Sequence, residues 1–249
     1  MDLGLRGKSV LVTGSSKGIG LACAAGFAAE GANVHLCARS AAPMHAAARD
    51  LSAKFGVELR VHVTDLRADG AAERLADEVG AIDVLVNNAG DIPRGSLGAV
   101  DEATWRRAWD LKVFGFIDLT RAVLASMESR GHGVIVNVIG MAGVSHPADY
   151  ICGAAGNAAL EAFTKAAGKG SIRSGVRVLG IHPGATRTDR LADPLKALAR
   201  QRFGDESRWE ELLRGVAIQE PEQVADTVLF LASERASHLS GVVLNLTPA

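Results

Sequence analysis

Short apolar runs alternate with longer amphipathic ones along the chain. The runs at 9–12, 34–37, 59–63, 84–86, 134–138, 176–181 and 242–246 are built mainly from Val, Ile and Leu. A run that is apolar on both faces fits a strand covered on both sides, which is the condition inside a parallel sheet. Between these runs the spacing predicts helices over 18–30, 44–55, 68–79, 102–129 and 150–172. Strand–helix repeats joined by right-handed crossovers make a doubly wound α/β sheet.

Composition fits that picture. A chain of 249 residues, 48% apolar and rich in alanine and glycine, suits a single α/β domain over 1–249 with close helix-on-sheet packing. Lys plus Arg number 27 and Asp plus Glu 28, so no charge excess points to nucleic acid or to an anionic membrane. The three cysteines, Cys23, Cys37 and Cys152, are far apart and read as free thiols of a reducing compartment, not a disulfide frame or a zinc site. The chain shows no basic segment followed by an apolar core at its start, and no apolar stretch of bilayer length. The expectation is a cytoplasmic protein that works on a small molecule. The segment 186–215 carries helical stretches and many charges but no strand. It reads either as a lid over a substrate or as an ordinary surface excursion.

The first strand runs directly into Thr13-Gly14-Ser15-Ser16-Lys17-Gly18-Ile19-Gly20 and then into an alanine-rich helix. Glycines let backbone approach a pyrophosphate, and the helix start turns free N–H groups and a positive dipole end toward it. Such a turn alone also fits a plain strand-to-helix corner. Two further loops agree with the cradle: Asn87-Asn88-Ala89-Gly90 after 84–86, and Pro183-Gly184 after 176–181, with Thr186 and Thr188 close behind. Each follows the C-terminal end of a predicted strand, where ligands bind in open α/β sheets.

With these loops, and Ser240-Gly241 before the last strand, nearly the whole chain resembles the short-chain dehydrogenase/reductase family. The resemblance implies a Rossmann-type sheet of seven strands in the order 3-2-1-4-5-6-7, a nicotinamide cofactor and a homo-oligomer, tetramer or dimer. It implies cofactor contacts from Gly14, Ser16, Lys17, Gly18, Ile19 and Gly20 in the first turn, with Asp65 and Leu66 flanking the adenine. Asn87, Ala89 and Gly90 are implied beside the fourth strand, and Pro183, Gly184 and Thr188 beside the sixth. The second strand ends Cys37-Ala38-Arg39, with no carboxylate there and Lys17 in the turn. Two cations suit a ribose phosphate, so NADP is expected over NAD.

The family's Asn, Ser, Tyr and Lys do not stand at their usual places. Counting back from Pro183 without gaps puts the Tyr position at Gly153, the Lys position at Asn157 and the Ser position at Gly140, and the flank at Trp105 puts the Asn position at Lys112. An amide and an ammonium have changed places. Tyr150, the sole tyrosine, lies three residues before Gly153, on the same helix face and about 4.5 Å along the axis. One reading is a relocated site, with Tyr150 as acid/base, Lys112 as the cation that tunes it, and Asn157 on a ribose or water. Ser145 is the candidate stand-in for the missing serine. The other reading is a nucleotide-binding protein without turnover, a sensor or partner subunit. His146, His182 and Cys152 read as pocket, surface or buried residues, and Asp189 and Arg190 as lid charges.

Overall fold

The computed structural model describes residues 2–247. Seven parallel strands form one sheet in the order β3-β2-β1-β4-β5-β6-β7. They are β1 (Ser9–Thr13), β2 (Asn33–Ala38), β3 (Leu59–Val63), β4 (Val84–Asn87), β5 (Gly133–Val138), β6 (Val176–Pro183) and β7 (Val243–Leu246). Alternate residues of a strand point to opposite faces. Val10, Val12, Val34 and Leu36 accordingly pack toward α1 (Gly18–Ala29), and Leu11, Leu85 and Ile135 toward the opposite layer. The inner strands β1, β2, β4, β5 and β6 are buried on both faces and so show little polar alternation, while the edge strands β3 and β7 carry exposed residues.

The remaining helices are α2 (Ala41–Phe55), α3 (Ala71–Val79), α4 (Glu102–Trp109), α5 (Gly115–Arg130), α6 (Ala142–Ser145), α7 (Ile151–Ser171), α8 (Asp189–Phe203) and α9 (Pro221–Ala232). The third predicted helix begins later than the spacing suggests, because Gly70 takes a left-handed φ of 67° and starts the helix at Ala71. The second begins earlier, since Pro43 falls in a first turn where its missing N–H costs nothing. The helix predicted over 102–129 is one continuous run interrupted by a π-helical segment, Asp110–Phe114, with Lys112 at its centre.

Helix α9 was absent from the sequence reading. Its signal is local: Pro221 stands at its first turn, and Glu220 and Gln223 form a reciprocal capping box. Its far end is held by Arg177 of β6, which is buried. The Arg177 guanidinium donates to the carbonyls of Leu231 at 2.7 Å, Ser233 at 2.9 Å, Ala236 at 3.1 Å and Ala232 at 3.3 Å. It satisfies carbonyls that the helix itself leaves open and places a cation at the negative dipole end. Arg177→Met is expected to lower unfolding stability by about 2 kcal/mol. Urea denaturation of both proteins measures this, and an unchanged midpoint would show that the cap contributes nothing.

The excursion at 186–215 is mainly helical, formed by α8 and a 3-10 segment at Glu206–Leu213. Its base is pinned. Thr186 and Gln219 form an isolated parallel bridge, with Arg187 N–H bonded to the Gln219 carbonyl and Gln219 N–H to that of Ala185, both at 2.9 Å. No helix among the described residues is long and apolar enough to cross a membrane.

Candidate active site

The C-terminal edge of the sheet gathers the glycine turn, the loop after β4, the start of α7 and the start of α8. The turn is stitched to its neighbours by buried polar groups. Ser15 Oγ accepts from Cys37 N–H at 2.9 Å, tying the turn to β2. Thr13 Oγ1 accepts from the N–H groups of Asn88 at 2.9 Å and Ala89 at 3.1 Å, and Asn88 Nδ2 donates to the Thr13 carbonyl at 3.0 Å. Gly14, at φ 66°, sits so close to this loop that a Cβ there would fall 2.9 Å from Ala89 Cα. At Gly20 a Cβ would meet the Gly14 carbonyl oxygen at 2.3 Å. No side chain caps α1, so its first N–H groups remain free to meet a phosphate. The donor set therefore fits a dinucleotide.

The expected contacts divide. A Cβ on Gly18 would lie 3.2 Å from Thr188 Cγ2, so the turn and the start of α8 adjoin; Ser16 is half-buried and Ile19 packs against the core. Lys17 is exposed and paired with Asp189 at 3.1 Å, and Arg39 is exposed and faces Asp91 at 3.6 Å. Asp65 is clasped by Arg67, whose hydrogen bonds hold its carboxyl below the usual carboxylate range. Gly184 N–H is bonded to the Leu246 carbonyl at 3.0 Å, which seats the loop after β6 on the last strand.

Two of the expected residues turn their side chains away from the rim. Asn87 is fully buried, and its Nδ2 donates to Asn137 Oδ1 at 3.0 Å and Thr120 Oγ1 at 3.1 Å. Its amide belongs to a network inside the sheet layer, and Asn88 is the residue that reaches the turn. Leu66 is buried in the core with Ala89 and Leu111, because the chain after β3 folds down onto α5. Its side chain is core, while the Asp65 side chain stands at the rim.

The substituted positions converge. A Cβ built on Gly153 would fall 2.2 Å from Tyr150 Cε1 and 2.3 Å from Cζ, so the phenol ring occupies the room that Gly153 leaves empty. Tyr150 stands at the N-cap of α7. Its hydroxyl oxygen accepts from Arg190 Nη2 at 3.1 Å, while Arg190 also donates to the carbonyls of Gly90 at 2.8 Å and Ile92 at 3.0 Å. The Arg94 guanidinium lies over the ring at 5.7 Å. The cation bonded to the phenol is thus Arg190. Lys112 was expected there and makes no hydrogen bond to Tyr150.

Lys112 is instead buried, donating to the Val138 carbonyl at 2.7 Å with its ammonium 4.5 Å from the Phe116 ring centroid. Burial first, and the Arg190 charge second, pull its amine down to about 7. It packs on Gly90, where a Cβ would be 2.8 Å from Lys112 Cδ and 3.6 Å from Nζ. Gly90 therefore touches Lys112 on one side and gives its carbonyl to Arg190 on the other. Asn157 is buried and donates from Nδ2 to the Gly140 carbonyl at 3.2 Å, while its Oδ1 has no hydrogen-bond partner in the protein. That carbonyl also accepts from Gly143 N–H at 3.2 Å and bonds His182 Nδ1 at 2.8 Å, and Gly140 sits at φ 141°. At the expected serine position the polar group present is therefore a backbone carbonyl.

Other candidates fall away. Ser145 is exposed and donates to the Met141 carbonyl at 3.2 Å, closing the short helix α6. Cys152 is buried, and burial raises its thiol further above neutrality. His146 is exposed. His182 is buried, with Nε2 3.1 Å from Glu161 Oε2. No group of three or more His, Cys, Asp or Glu gathers as a metal site among the described residues. The contact of Arg190 with Tyr150 leaves one mark in the sequence. Its signal is that a cation in the first turn of a helix opposes the macrodipole, so its place is set by something outside the helix.

A glycine turn, an uncapped helix start and a doubly wound parallel sheet define a Rossmann-type nucleotide-binding fold. The chain belongs to the short chain dehydrogenase family, whose model matches residues 8–197. It is 34% identical over 242 residues to galactitol 2-dehydrogenase (L-tagatose-forming) of Cereibacter sphaeroides, covering 96% of this chain and 93% of that one. It is 32% identical over 249 residues to a 3-oxoacyl-(acyl-carrier-protein) reductase of Chlamydia muridarum, covering 96% and 95%. Among solved structures, L-sorbose reductase of Gluconobacter frateurii complexed with NADPH and L-sorbose superposes with a TM-score of 0.93 at 32% identity, covering 100% of this chain and 98% of that one. An NAD+-bound xylitol dehydrogenase gives 0.88 at 26%, covering 98% and 99%.

Proposed function

We propose that this protein is an NADP(H)-dependent oxidoreductase that interconverts a carbonyl and an alcohol, with Tyr150 as its proton-transfer group. The observation that carries the reading is the Tyr150 ring lying in the volume vacated at Gly153, with its oxygen bonded to Arg190. When bound, the nicotinamide supplies or accepts the hydride. In the reducing direction Tyr150 gives its hydroxyl proton to the carbonyl oxygen, and Arg190 stabilises the phenolate left behind through a charge-assisted hydrogen bond. The oxidising direction reverses the proton's path. Asn157 Oδ1, buried and without a partner, is suited to accept from a ribose hydroxyl. Gly90 and the α1 N–H groups take the backbone side of the cofactor. By the same reading the protein assembles as a homotetramer or dimer.

Lys17 and Arg39 are the groups proposed to select a ribose phosphate, by exchanging Asp189 and Asp91 for it. Fluorescence titration is expected to show NADPH binding at least about tenfold more tightly than NADH, with the preference abolished in Arg39→Asp. Consumption of NADPH with a panel of ketoses, ketones and oxo acids then tests the chemistry. Absence of binding by either cofactor rejects the reading.

A further inference from the structure

Lys112 and Arg190 stand at the site without a paired carboxylate, whereas Arg94 over the Tyr150 ring has Asp149. Lys112 is buried, yet no carboxylate lies within 4.0 Å of it or of Arg190 among the described residues. Asp189, Asp91 and Asp149, around the same rim, are paired with Lys17, Arg39 and Arg94. A buried ammonium without a counter-ion is costly, and a protein that retains one leaves a strong well for an anion. The two cations repel each other across Gly90, which touches both.

Both also keep donors in hand. An ammonium has three N–H bonds, and Lys112 uses one on Val138. A guanidinium has five, and Arg190 spends three, on Gly90, Ile92 and Tyr150. The third of those bonds fixes the anion's place relative to the chemistry, since the same guanidinium touches the proton-transfer oxygen.

We infer that Lys112 and Arg190 form a carboxylate subsite, and that the substrate is an oxo acid or the matching hydroxy acid, its carbonyl a bond or two from the carboxylate. This rests on the proposed reductase reading and deepens it. A neutral sugar or polyol would leave Lys112 uncompensated. A carboxylate held beside Gly90, within reach of the spare donors of both cations, offsets that cost and brings the neighbouring carbonyl to Tyr150. Lys112 is the inner contact and Arg190 the outer one, at the start of α8.

The alternative source of negative charge is the cofactor's own phosphates, and the experiment separates the two. Pyruvate, acetoacetate and levulinate are titrated calorimetrically, beside their methyl esters, into the free protein and into the protein saturated with NADP+. At least one acid is expected to bind the NADP+-loaded protein about tenfold or more tightly than its ester. That preference is expected to fall about tenfold in Arg190→Gln and in Lys112→Met. Arg190 is exposed, so its substitution leaves the core intact and keeps the test open should Lys112→Met fold poorly. The inference is overturned if no acid binds at roughly 20 mM, if esters bind as well as acids, if the preference survives both substitutions, or if NADP+ displaces the acids. NADPH oxidation on carbonyls without any preference for acids would sink this subsite and leave the reductase reading standing. Acid binding without turnover would do the reverse.

Discussion

Replacing Tyr150 by Phe is expected to lower kcat for NADPH-dependent carbonyl reduction by about 10²–10³-fold, with NADPH affinity changed less than about twofold. The variant keeps the ring that fills the space above Gly153 and loses only the atom that Arg190 touches. Packing is therefore preserved and the proton donor is removed, so the loss belongs to the transition state rather than to binding. Gly153→Ala supplies the geometric counterpart. Its methyl would lie 2.2 Å from Tyr150 Cε1, so the ring must move while the hydroxyl survives. A similar loss in both variants identifies the position of the phenol as what matters. Full activity in Tyr150→Phe would mean that another group carries the proton.

The fold was legible because its two signals are strong and local. Strands dry on both faces write continuous apolar runs, and the crossover rule then leaves few topologies. The glycine turn was legible for a related reason: Gly14 and Gly20 stand where neighbouring backbone leaves no room for a Cβ, so the residue type itself marks the close approach. Side-chain direction is another matter. Asn87 and Asn88 are neighbours of the same type, and only the pleat decides that the first points into the sheet layer and the second back to the glycine turn. The exchange of Lys112 and Asn157 was visible as a pair of identities, but not where each head group goes. The π-helical segment around Lys112 shifts its register on the helix, and no periodicity reveals such a bulge. The Tyr150–Arg190 bond joins residues 40 apart in the chain, on elements brought together only by the tertiary fold. Contacts of that kind leave no mark on local spacing.

Lys112→Met is expected to make the folded protein more stable at pH 7, by about 3 kcal/mol, while removing the inner cation of the site. In the folded state burial, followed by the Arg190 charge, brings the Lys112 amine to about 7. The unfolded chain holds that proton up to the ordinary lysine value of about 10.4. Between those two pH values the unfolded state binds more protons than the native one, so this residue makes stability rise with pH across the window. Below about 7 both states are protonated and the native state bears the whole cost of the buried charge. Each factor of ten in that equilibrium is worth about 1.4 kcal/mol, and leaving the Val138 carbonyl without its donor takes back about 1 kcal/mol. Urea denaturation at pH 7 and pH ~10 reads the effect: the variant's advantage is expected to be large at the lower pH and to vanish at the higher one, where wild-type Lys112 is neutral in the fold. A variant less stable at pH 7, or an advantage that does not move with pH, would show that no uncompensated ammonium is held there. An ordinary core position would gain nothing from keeping such a charge. On the proposed reading, the cost of that charge at the sheet's C-terminal edge is offset only when an anion binds there.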